Sequence, residues 1–273
     1  MAKRLISGAV GIVFLIGVII AGSYFHIVID IFIALVCAFS VGEFAHATDT
    51  LKKLDLSIPS ILFALAFPIL YIFDLGLLVW YLYSAVMLTA TIINHKKITF
   101  MNFAYIYSMT LIITVSLNTI LIMKTGDTDH TIFYFVVALS LPWLADAGAY
   151  FTGTFFGKHK LCPNISPKKT VEGAIGGTVV CVLVTCFVGF IFSQWVYTGV
   201  KVNYLNLAAA ALIGSVLSIL GDLSFSLVKR TFDIKDYGNL IPGHGGVLDR
   251  FDSVVFVSPF LMIFFKYLPV LNF

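Results

Sequence analysis

Long apolar runs separated by short polar segments cover almost the whole chain of 273 residues. The runs span residues 5–21, 26–42, 58–73, 75–93, 103–123, 131–149, 172–195, 205–223 and 252–270. Apolar runs of roughly 17–25 residues are typical of transmembrane helices. The residues within each run are continuously apolar rather than alternating, which argues against a β-barrel. The pattern therefore predicts an all-α, polytopic integral membrane protein with about nine transmembrane helices.

The third and the first of these runs have features that are unusual for a simple transmembrane helix. The third contains Pro59 and Pro68, so whether it crosses the membrane fully stays open. The first follows Lys3 and Arg4 and resembles the apolar part of a signal peptide. Since no cleavage site followed by a soluble domain is visible, we expect it to be a retained helix.

Composition supports a membrane protein. Hydrophobic residues make up 60% of the chain and charged residues only 11%, whereas soluble domains carry about 25% charged residues. The four cysteines form no CxxC pair, and three of them lie within apolar runs. We interpret them as packing residues rather than as disulfides or zinc ligands.

The distribution of positive charge predicts the orientation. With nine spans and a cytoplasmic N-terminus, all but three of the 17 lysines and arginines fall on the cytoplasmic side. The three on the outer side are Lys124, Lys201 and Lys266. Because positive residues concentrate in cytoplasmic loops, we expect the N-terminus to be cytoplasmic.

Two long predicted cytoplasmic loops, residues 150–173 and 224–250, hold most of the unusual polar residues. Loops longer than about 12–15 residues are usually functional or disordered, and aromatic residues, glycines and paired charges make disorder a poor description of these two. In the first loop, either Ser166 or Thr170 could cap the seventh helix, whose N-terminus would favour phosphate.

Four aspartates are expected at one membrane depth on the cytoplasmic side. Asp146 and Asp222 lie near the inner ends of the sixth and eighth runs, and Asp249 and Asp252 lie at the start of the ninth. If 249–252 is helical, both of its carboxylates share one face. Carboxylates that gather in this way suit Mg²⁺, which commonly takes one or two carboxylates together with substrate phosphates.

Cationic side chains and glycines lie beside these acids. The cationic candidates for phosphate binding are Lys168, Lys169, Lys229, Arg230, Lys235 and Arg250. The glycines of the GHGG stretch at 243–246 allow close backbone approach to an anion. Acids that hold a metal and cations that hold phosphate together predict a phosphoryl- or nucleotidyl-transfer site.

Each feature also has a plainer interpretation. The cations could bind lipid headgroups only, Asp249 and Asp252 could cap a helix, and His244 could be a loop hydrogen-bonding residue. Gly173 and Gly177 form a GxxxG pair, which is more often helix packing than catalysis. Glu43 and Asp30, in or beside the second run, are interpreted as helix-packing or interfacial groups. The functional prediction depends on the convergence of acids, cations and glycines.

At these residues the chain resembles the phosphatidate cytidylyltransferases, also called CDP-diacylglycerol synthases. The family pattern reads S-x-x-K-R-x-x-x-x-K-D-x-G followed by P-G-H-G-G-x-x-D-R-x-D. The matching residues are Ser226, Lys229, Arg230, Lys235, Asp236, Gly238, the PGHGG stretch at 242–246, Asp249, Arg250 and Asp252. The stretches DAGAYFTGTFFGKHKL and SPKKTVEG also look like this family, so the strong resemblance covers about residues 146–253. The departures are Ala147, where threonine is frequent, and Phe225, where glutamate is frequent.

The resemblance implies transfer of CMP from CTP to phosphatidate, which gives CDP-diacylglycerol and pyrophosphate in phospholipid biosynthesis. It implies Mg²⁺ or Mn²⁺ as cofactor, with a second, monovalent cation left open. Asp222 and Asp249 are the expected metal ligands, with Asp252 and Asp146 as further ligands, and Lys229 joins Asp222 and Asp249 as a catalytic residue. The expected substrate-binding residues are Ser166, Lys168, Lys169, Ser226, Arg230, Lys235, His244 and Arg250.

The expected partners are CTP, phosphatidate and membrane lipids, without nucleic acid, and we expect a homodimer in the cell membrane with the active site facing the cytoplasm. Residues 1–130 are predicted to be lipid-facing scaffold helices. Residues 131–273 are predicted to be transmembrane helices that carry the catalytic loops.

Three rival functions make different demands on the sequence. A CTP-dependent lipid-alcohol kinase would move the γ-phosphate to a hydroxyl. A transporter or ion channel would spread acids across the membrane depth, but only Asp30 lies away from both predicted surfaces. A CDP-alcohol phosphotransferase would need a D-G-x-x-A-R motif that the sequence lacks.

Overall fold

The computed structural model describes residues 2–126, 129–197 and 199–272. The side chains of residues 2–6, 124–126 and 272 lie outside this description. The predicted inner cations Lys3 and Arg4 and the predicted outer cation Lys124 are therefore outside the described side chains.

Helices make up most of the described chain, which confirms the predicted all-α class. The helices are α1 (Ala2–Tyr24), α2 (Ile27–Ala47), α3 (Leu54–Tyr71), α4 (Gly76–Ile93), α5 (Phe100–Gly126), α6 (Thr131–Phe156), α7 (Val171–Ile191), α8 (Tyr204–Thr231) and α9 (Leu248–Tyr267). A 3₁₀ turn lies at Thr50–Lys52, and a π-helical segment at Phe192–Val196 extends α7. The short strands are β1 (Lys160–Cys162), β2 (Ser166–Thr170), β3 (Lys201–Val202) and β4 (Leu271–Asn272), which pair antiparallel as β1–β2 and β3–β4.

Eight of the described helices, α1 to α8, are long and apolar enough to cross a membrane, so the chain is a multi-pass membrane protein. The third run forms one α-helix of 18 residues in spite of Pro59 and Pro68, and at 1.5 Å per residue it is about 27 Å long. Helix α9 has 20 residues but carries Asp249, Arg250, Asp252 and Lys266. Its crossing of the membrane stays a prediction.

The chain divides into two compact units. Unit 1 contains Met1–Leu121 and Thr231–Phe251, and unit 2 contains Ile122–Arg230 and Asp252–Phe273. These units are defined by internal contacts, whereas the predicted boundary at residue 130 separates scaffold helices from catalytic ones. The predicted functional boundary stays a prediction. In unit 1, α2 packs on α3 and α3 packs on α4. The buried face of α2 consists of small and branched apolar residues such as Ile33, Ala34 and Cys37.

In unit 2, α6 and α7 pack closely because both carry small residues where they meet. A Cβ atom on Gly177 would lie 2.6 Å from the carbonyl oxygen of Ala145, and one on Gly173 would lie 2.8 Å from that of Ala149. Gly148 of α6 is equally crowded, since its Cβ would lie 2.9 Å from Val180. The packing interpretation of the GxxxG pair is therefore confirmed, and the contact is within the chain.

Both long loops contain more regular structure than the sequence predicted. Helix α6 continues to Phe156, and the β1–β2 hairpin occupies much of the first loop. Helix α8 continues to Thr231 and α9 begins at Leu248, so only residues 232–247 connect them. Helices α6 and α8 continue beyond their apolar runs, through mixed aromatic and polar residues in α6 and through residues that include Lys229 and Arg230 in α8.

Candidate active site

Three predicted aspartates come together in unit 2. Asp146 lies in α6, Asp222 in α8 and Asp252 in α9. The carboxylate of Asp252 is close enough to those of Asp222 and Asp146 for electrostatic repulsion between them. We call these three residues the acid cluster. Ser253 links two of its members, because its hydroxyl lies 3.2 Å from Asp146 Oδ2 and 3.3 Å from Asp252 Oδ1. A serine hydroxyl has one hydrogen to donate, so Ser253 can serve one of the two carboxylates at a time.

A glycine lets α8 and α9 approach each other beside this cluster. A Cβ atom on Gly221 would lie 3.1 Å from the Cα atom of Ser253 and 3.3 Å from the carbonyl oxygen of Asp252. Gly221 immediately precedes Asp222 in α8. The close backbone approach therefore brings the carboxylate-bearing turns of the two helices together.

Two lysines offset two of the three negative charges of the acid cluster. Lys169 of β2 forms an ion pair with Asp222 Oδ2. The Nζ atom of Lys229 lies 3.9 Å from Asp252 Oδ2, and both residues are buried, with 8% and 5% of their surface exposed. Buried charges are stable only when they are paired. The acids and lysines that the sequence assigned to metal and phosphate are thus each other's partners in this structure.

Ser226 lies one turn after Asp222 in α8 and donates a hydrogen bond to Asp222 Oδ1 at 3.3 Å. The sequence predicted that Ser226 contacts substrate. In the structure its hydroxyl donates to the metal-ligand candidate Asp222, and its contact with substrate stays a prediction.

The β1–β2 hairpin positions the lysines of the SPKKT stretch. Ser166 begins β2 and pairs with Cys162, Lys168 is exposed, and Lys169 is half-buried. Arg230, an exposed residue of α8, donates from Nε to the carbonyl oxygen of Ile165 at 3.4 Å. The hairpin thus carries Lys169 to Asp222 and is held by a second predicted site residue.

Thr170, rather than Ser166, caps α7. Its Oγ1 atom accepts a hydrogen bond from the N–H of Gly173 at 3.1 Å, and its backbone is extended, as an N-cap requires. Just before β1, Glu172 accepts the backbone N–H groups of Lys158 and His159 and contacts His159 Nδ1 at 2.5 Å. These contacts fix the open end of the hairpin, where β1 begins and β2 ends, to the start of α7.

Asp249, the fourth predicted aspartate, lies in α9 within unit 1 and is 8% exposed. Its Oδ2 atom accepts the backbone N–H groups of Tyr237 at 2.9 Å and Gly246 at 3.0 Å. Gly245 has φ +86°, and its Cβ would lie 3.0 Å from the same oxygen. Asp249 therefore ties the loop that precedes α9, and this loop is where the sequence predicted ligand contacts.

Glu43 of α2 was interpreted from the sequence as a helix-packing or interfacial group and was given no place in the site. Its Oε1 atom accepts the N–H of Val247 and its Oε2 atom accepts the N–H of Leu248, both at 2.9 Å. The side chain therefore caps the start of α9 and joins α2 to α9 by hydrogen bonds, which agrees with its interpretation as a helix-packing group. An acid at the end of an apolar run, in a chain with few acids, was the available signal, but no sequence spacing connects position 43 with position 247.

A cavity of about 540 Å³ lies within unit 1 beside this loop. Three predicted substrate-binding residues, Lys235, His244 and Arg250, are among its lining residues, together with glycines 238, 243 and 245. His244 Nδ1 lies 2.9 Å from Ser7 Oγ, which donates a hydrogen bond to the carbonyl oxygen of Pro242 at 2.8 Å. Ligand pockets are typically about 300–1,000 Å³, so the cavity has the size of a ligand pocket, and its charged lining residues are two cations, Lys235 and Arg250, and one acid, Asp236.

The donor set of the acid cluster fits Mg²⁺ in one specific way. Within the part of the chain that the structure describes, no three carboxylate, imidazole or thiol groups form a metal site by themselves. Mg²⁺ does not need such a group, because it commonly takes one or two carboxylates and completes its shell with water and substrate phosphates. Asp222 and Asp252 provide hard oxygen ligands beside lysines that suit phosphate, which matches that mode of binding.

Comparison with known proteins identifies relatives over most of the chain. The profile of the cytidylyltransferase family matches residues 2–268. The chain is 40% identical over 176 residues to the phosphatidate cytidylyltransferase of Bacillus subtilis strain 168, which covers 64% of this chain and 62% of that protein. It is 36% identical over 216 residues to the protein of the same name from Staphylococcus saprophyticus, which covers 76% of this chain and 79% of that protein.

A third relative, the phosphatidate cytidylyltransferase of Staphylococcus aureus strain COL, is 38% identical over 184 residues, and the match covers 66% of this chain and 65% of that protein. The matches to the B. subtilis and S. aureus proteins therefore span slightly less than two thirds of those relatives.

Proposed function

The chain belongs to the cytidylyltransferase family, and from this membership we propose that it transfers CMP from CTP to phosphatidate, giving CDP-diacylglycerol and pyrophosphate. The observation that carries the proposal is the family match over residues 2–268, together with three relatives that bear the name phosphatidate cytidylyltransferase. The acid cluster with its paired lysines gives the proposal a chemical basis, since both substrates are polyanions.

The proposed reaction forms one bond and breaks one bond. A phosphate oxygen of phosphatidate attacks the α-phosphorus of CTP, and the bond between the α-phosphorus and the bridging oxygen breaks to release pyrophosphate. A phosphate monoester is already anionic near neutral pH, so the attacking oxygen needs no strong general base. Positioning of the two substrates and neutralisation of their charge supply most of the rate.

The two lysines that pair with the acid cluster have a defined part in this reaction. Lys169 and Lys229 would exchange their carboxylate partners for phosphate oxygens when the substrates bind, and Asp222 and Asp252 would then be available to a metal ion. Ser253 would donate its hydroxyl hydrogen to either Asp146 or Asp252 and so orient one of these carboxylates at a time. Mg²⁺ bound there supplies further charge neutralisation. The role of Asp249 as a metal ligand stays a prediction from the sequence.

The cavity in unit 1 supports a substrate-binding role for Lys235, His244 and Arg250. Exposed Lys168 and Arg230 remain proposed contacts to the phosphates of CTP or of the lipid, and Ser166 remains a proposed contact of the same kind. Ser226 remains a proposed substrate contact, and it would also orient Asp222, because its hydroxyl donates to that carboxylate.

The proposed location is the cell membrane with the site on the cytoplasmic side, where CTP is available; the asymmetry of positive charge supports this orientation. A homodimer stays part of the proposal, but the GxxxG pair no longer supports it, because Gly173 and Gly177 contact α6 of the same chain.

The test uses purified protein in detergent with phosphatidate, Mg²⁺ and CTP labelled at either the α- or the γ-phosphate, beside the variant Asp249→Asn. CMP transfer places the α-label in the lipid and the γ-label in pyrophosphate. Transfer of the γ-label to a lipid alcohol, with labelled CDP formed from α-labelled CTP, would establish the kinase alternative instead. Product from wild type and not from a folded Asp249→Asn variant would support both reaction and site.

A further inference from the structure

We propose that Glu43 is a positioning residue for the proposed nucleotidyl transfer. It would act by holding the glycine loop, residues 238–246, against the start of α9, so that the cavity keeps its shape. The inference rests on the proposed function, but the contacts that carry it are independent of that function. All of them lie within unit 1.

The carboxylate of Glu43 is bidentate toward the backbone. Each of its oxygens accepts a different N–H group, from Val247 and from Leu248, at 2.9 Å. The first N–H groups of a helix have no partner within the helix, and the helix dipole favours a negative charge there. A carboxylate that reaches these groups from α2 therefore stabilises the start of α9.

Two glycines of the family pattern make room for Glu43. A Cβ atom on Gly238 would lie 2.6 Å from Glu43 Oε1, and a Cβ atom on Gly246 would lie even closer to Glu43 Oε2. The three nearest neighbours of each added atom all belong to Glu43. These glycines are thus explained by a side chain of the protein itself, and not by the approach of a ligand to the backbone.

Asp249 holds the same loop from the other side. It accepts the N–H groups of Tyr237 and Gly246, so that Glu43 and Asp249 together bind the three consecutive N–H groups of 246, 247 and 248. The sequence analysis assigned the N–H groups of the GHGG stretch to an anionic ligand. At position 246 the structure assigns that N–H to a carboxylate of the protein.

The loop that the two carboxylates hold also lines the cavity. Gly238, Gly243, His244 and Gly245 of the glycine loop face it, and Arg250 follows directly after Asp249 in α9. A change at Glu43 therefore reaches the cavity through the loop, without a contact of Glu43 with the substrate. Binding of the ligand that occupies the cavity should be affected more than the chemical step.

The experiment compares wild type, Glu43→Gln and the control Asp55→Asn in detergent. The introduced glutamine would keep the size of the side chain but present an amide N–H₂ to one of the two backbone donors. Asp55 is an exposed acid in the first turn of α3 in the same unit, so its variant removes an acid without disturbing the loop. The measurements are KM and kcat for CTP and for phosphatidate, and hydrogen–deuterium exchange of peptides across the chain.

For Glu43→Gln we expect KM for one of the two substrates to rise by roughly tenfold, within the range for loss of a supporting hydrogen-bond partner, while kcat changes much less. Amide exchange should accelerate in residues 236–250 and stay unchanged in α6 and α7. Asp55→Asn should match wild type in both measurements. Unchanged KM values and unchanged exchange in 236–250 would overturn the inference, as would acceleration spread evenly over the whole chain.

A second pair of variants keeps the test independent of turnover. Gly238→Ala should accelerate exchange in 236–250, because its Cβ meets Glu43, and Glu43→Ala should relieve that collision in the double variant. Residues in contact show such non-additivity, so strictly additive effects would contradict the contact. If wild type itself makes no CDP-lipid, the proposed function fails while this exchange cycle still decides the role of Glu43 in the loop.

Discussion

Lys169 of the β1–β2 hairpin forms an ion pair with Asp222 of α8, and their side chains are only 20% and 23% exposed. The two residues were assigned to opposite tasks by the sequence, one to phosphate and the other to metal. Because the two residues pair with each other, neither charge is isolated in this partly buried position before ligands bind. An isolated buried charge would be costly. Binding of an anionic substrate together with a cation can then exchange partners without leaving a charge unpaired.

This pairing predicts non-additive effects on activity. Lys169→Gln and Asp222→Asn should each reduce kcat/KM for CTP, by roughly 100-fold as expected for groups that contact a transferring phosphate or its metal. The double variant should lose much less than the product of the two losses, because residues that act as a unit are not additive. Steady-state kinetics of the four proteins measure this directly.

Lys168→Gln is the matched control for that cycle. Lys168 is the neighbouring residue in β2, but its side chain is exposed, and the ion pair with Asp222 is formed by Lys169. It should combine additively with Asp222→Asn. If Lys169→Gln combines with Asp222→Asn as additively as Lys168→Gln does, the two residues do not act together and the exchange of partners is wrong.

Ser253 should matter for activity although the sequence did not single it out. Its hydroxyl lies between Asp146 and Asp252, and a typical hydrogen bond to a charged group contributes about 1.5–3 kcal/mol. We expect Ser253→Ala to lower kcat by roughly tenfold or more, since about 1.4 kcal/mol corresponds to a factor of ten. Ser258→Ala, a fully buried serine of the same helix, is the control, and equal losses in both variants would argue for a packing effect only.

Much of the fold could be predicted from the sequence because the membrane imposes a simple rule. Backbone groups must be satisfied within each span, so long apolar runs become helices, and eight of the nine runs coincide with helices that are apolar enough to cross. The predicted positions of the helix ends were less accurate. Helix α6 extends to Phe156 and α8 to Thr231, beyond the apolar runs, because helix propagation depends on backbone hydrogen bonds and not on hydropathy.

The contacts of the site could be predicted only in part. Membrane depth was enough to bring Asp146, Asp222 and Asp252 together, and the residue types were enough to expect lysines among them. The hydrogen-bond partner of each residue could not be predicted from the spacing of residues along the sequence. Glu43 and Val247, for example, are brought together only by tertiary packing. For the same reason Gly246 was interpreted, with the other glycines of the GHGG stretch, as a point of ligand approach, and the contact of Gly238 and Gly246 with Glu43 was not expected.

Removal of divalent metal is expected to abolish CDP-lipid formation by the wild type, because the acid cluster and CTP are both negatively charged and repel each other without a cation. Activity should return when Mg²⁺ is added back to chelator-treated protein. In Asp222→Asn the concentration of Mg²⁺ needed for half-maximal activity should increase, whereas in Asp55→Asn it should stay at the wild-type value. Full activity in excess chelator would contradict a metal role for the cluster.

The close packing of α6 on α7 predicts a stability effect that is separate from catalysis. An alanine usually stabilises a helix relative to glycine, by up to about 1 kcal/mol, and Gly11→Ala in α1 should show this because, among the residues that the structure describes, no atom lies within 4 Å of its added Cβ. Gly177→Ala should do the opposite, since its Cβ would lie 2.6 Å from the Ala145 carbonyl oxygen and overpacking of this kind typically costs about 1–3 kcal/mol. Thermal unfolding in detergent should therefore shift down for Gly177→Ala and not for Gly11→Ala.

The same substitution should also reach the site, because Asp146 directly follows Ala145 in α6. The added Cβ at position 177 would also lie 2.8 Å from the Ala149 backbone nitrogen, so α6 must move away from α7 along a full turn. That movement should carry Asp146 away from Ser253 and the rest of the acid cluster. Gly177→Ala should therefore lose activity at temperatures where it is still folded. A Gly177→Ala variant as stable and as active as Gly11→Ala would mean that α6 and α7 are farther apart than the structure shows.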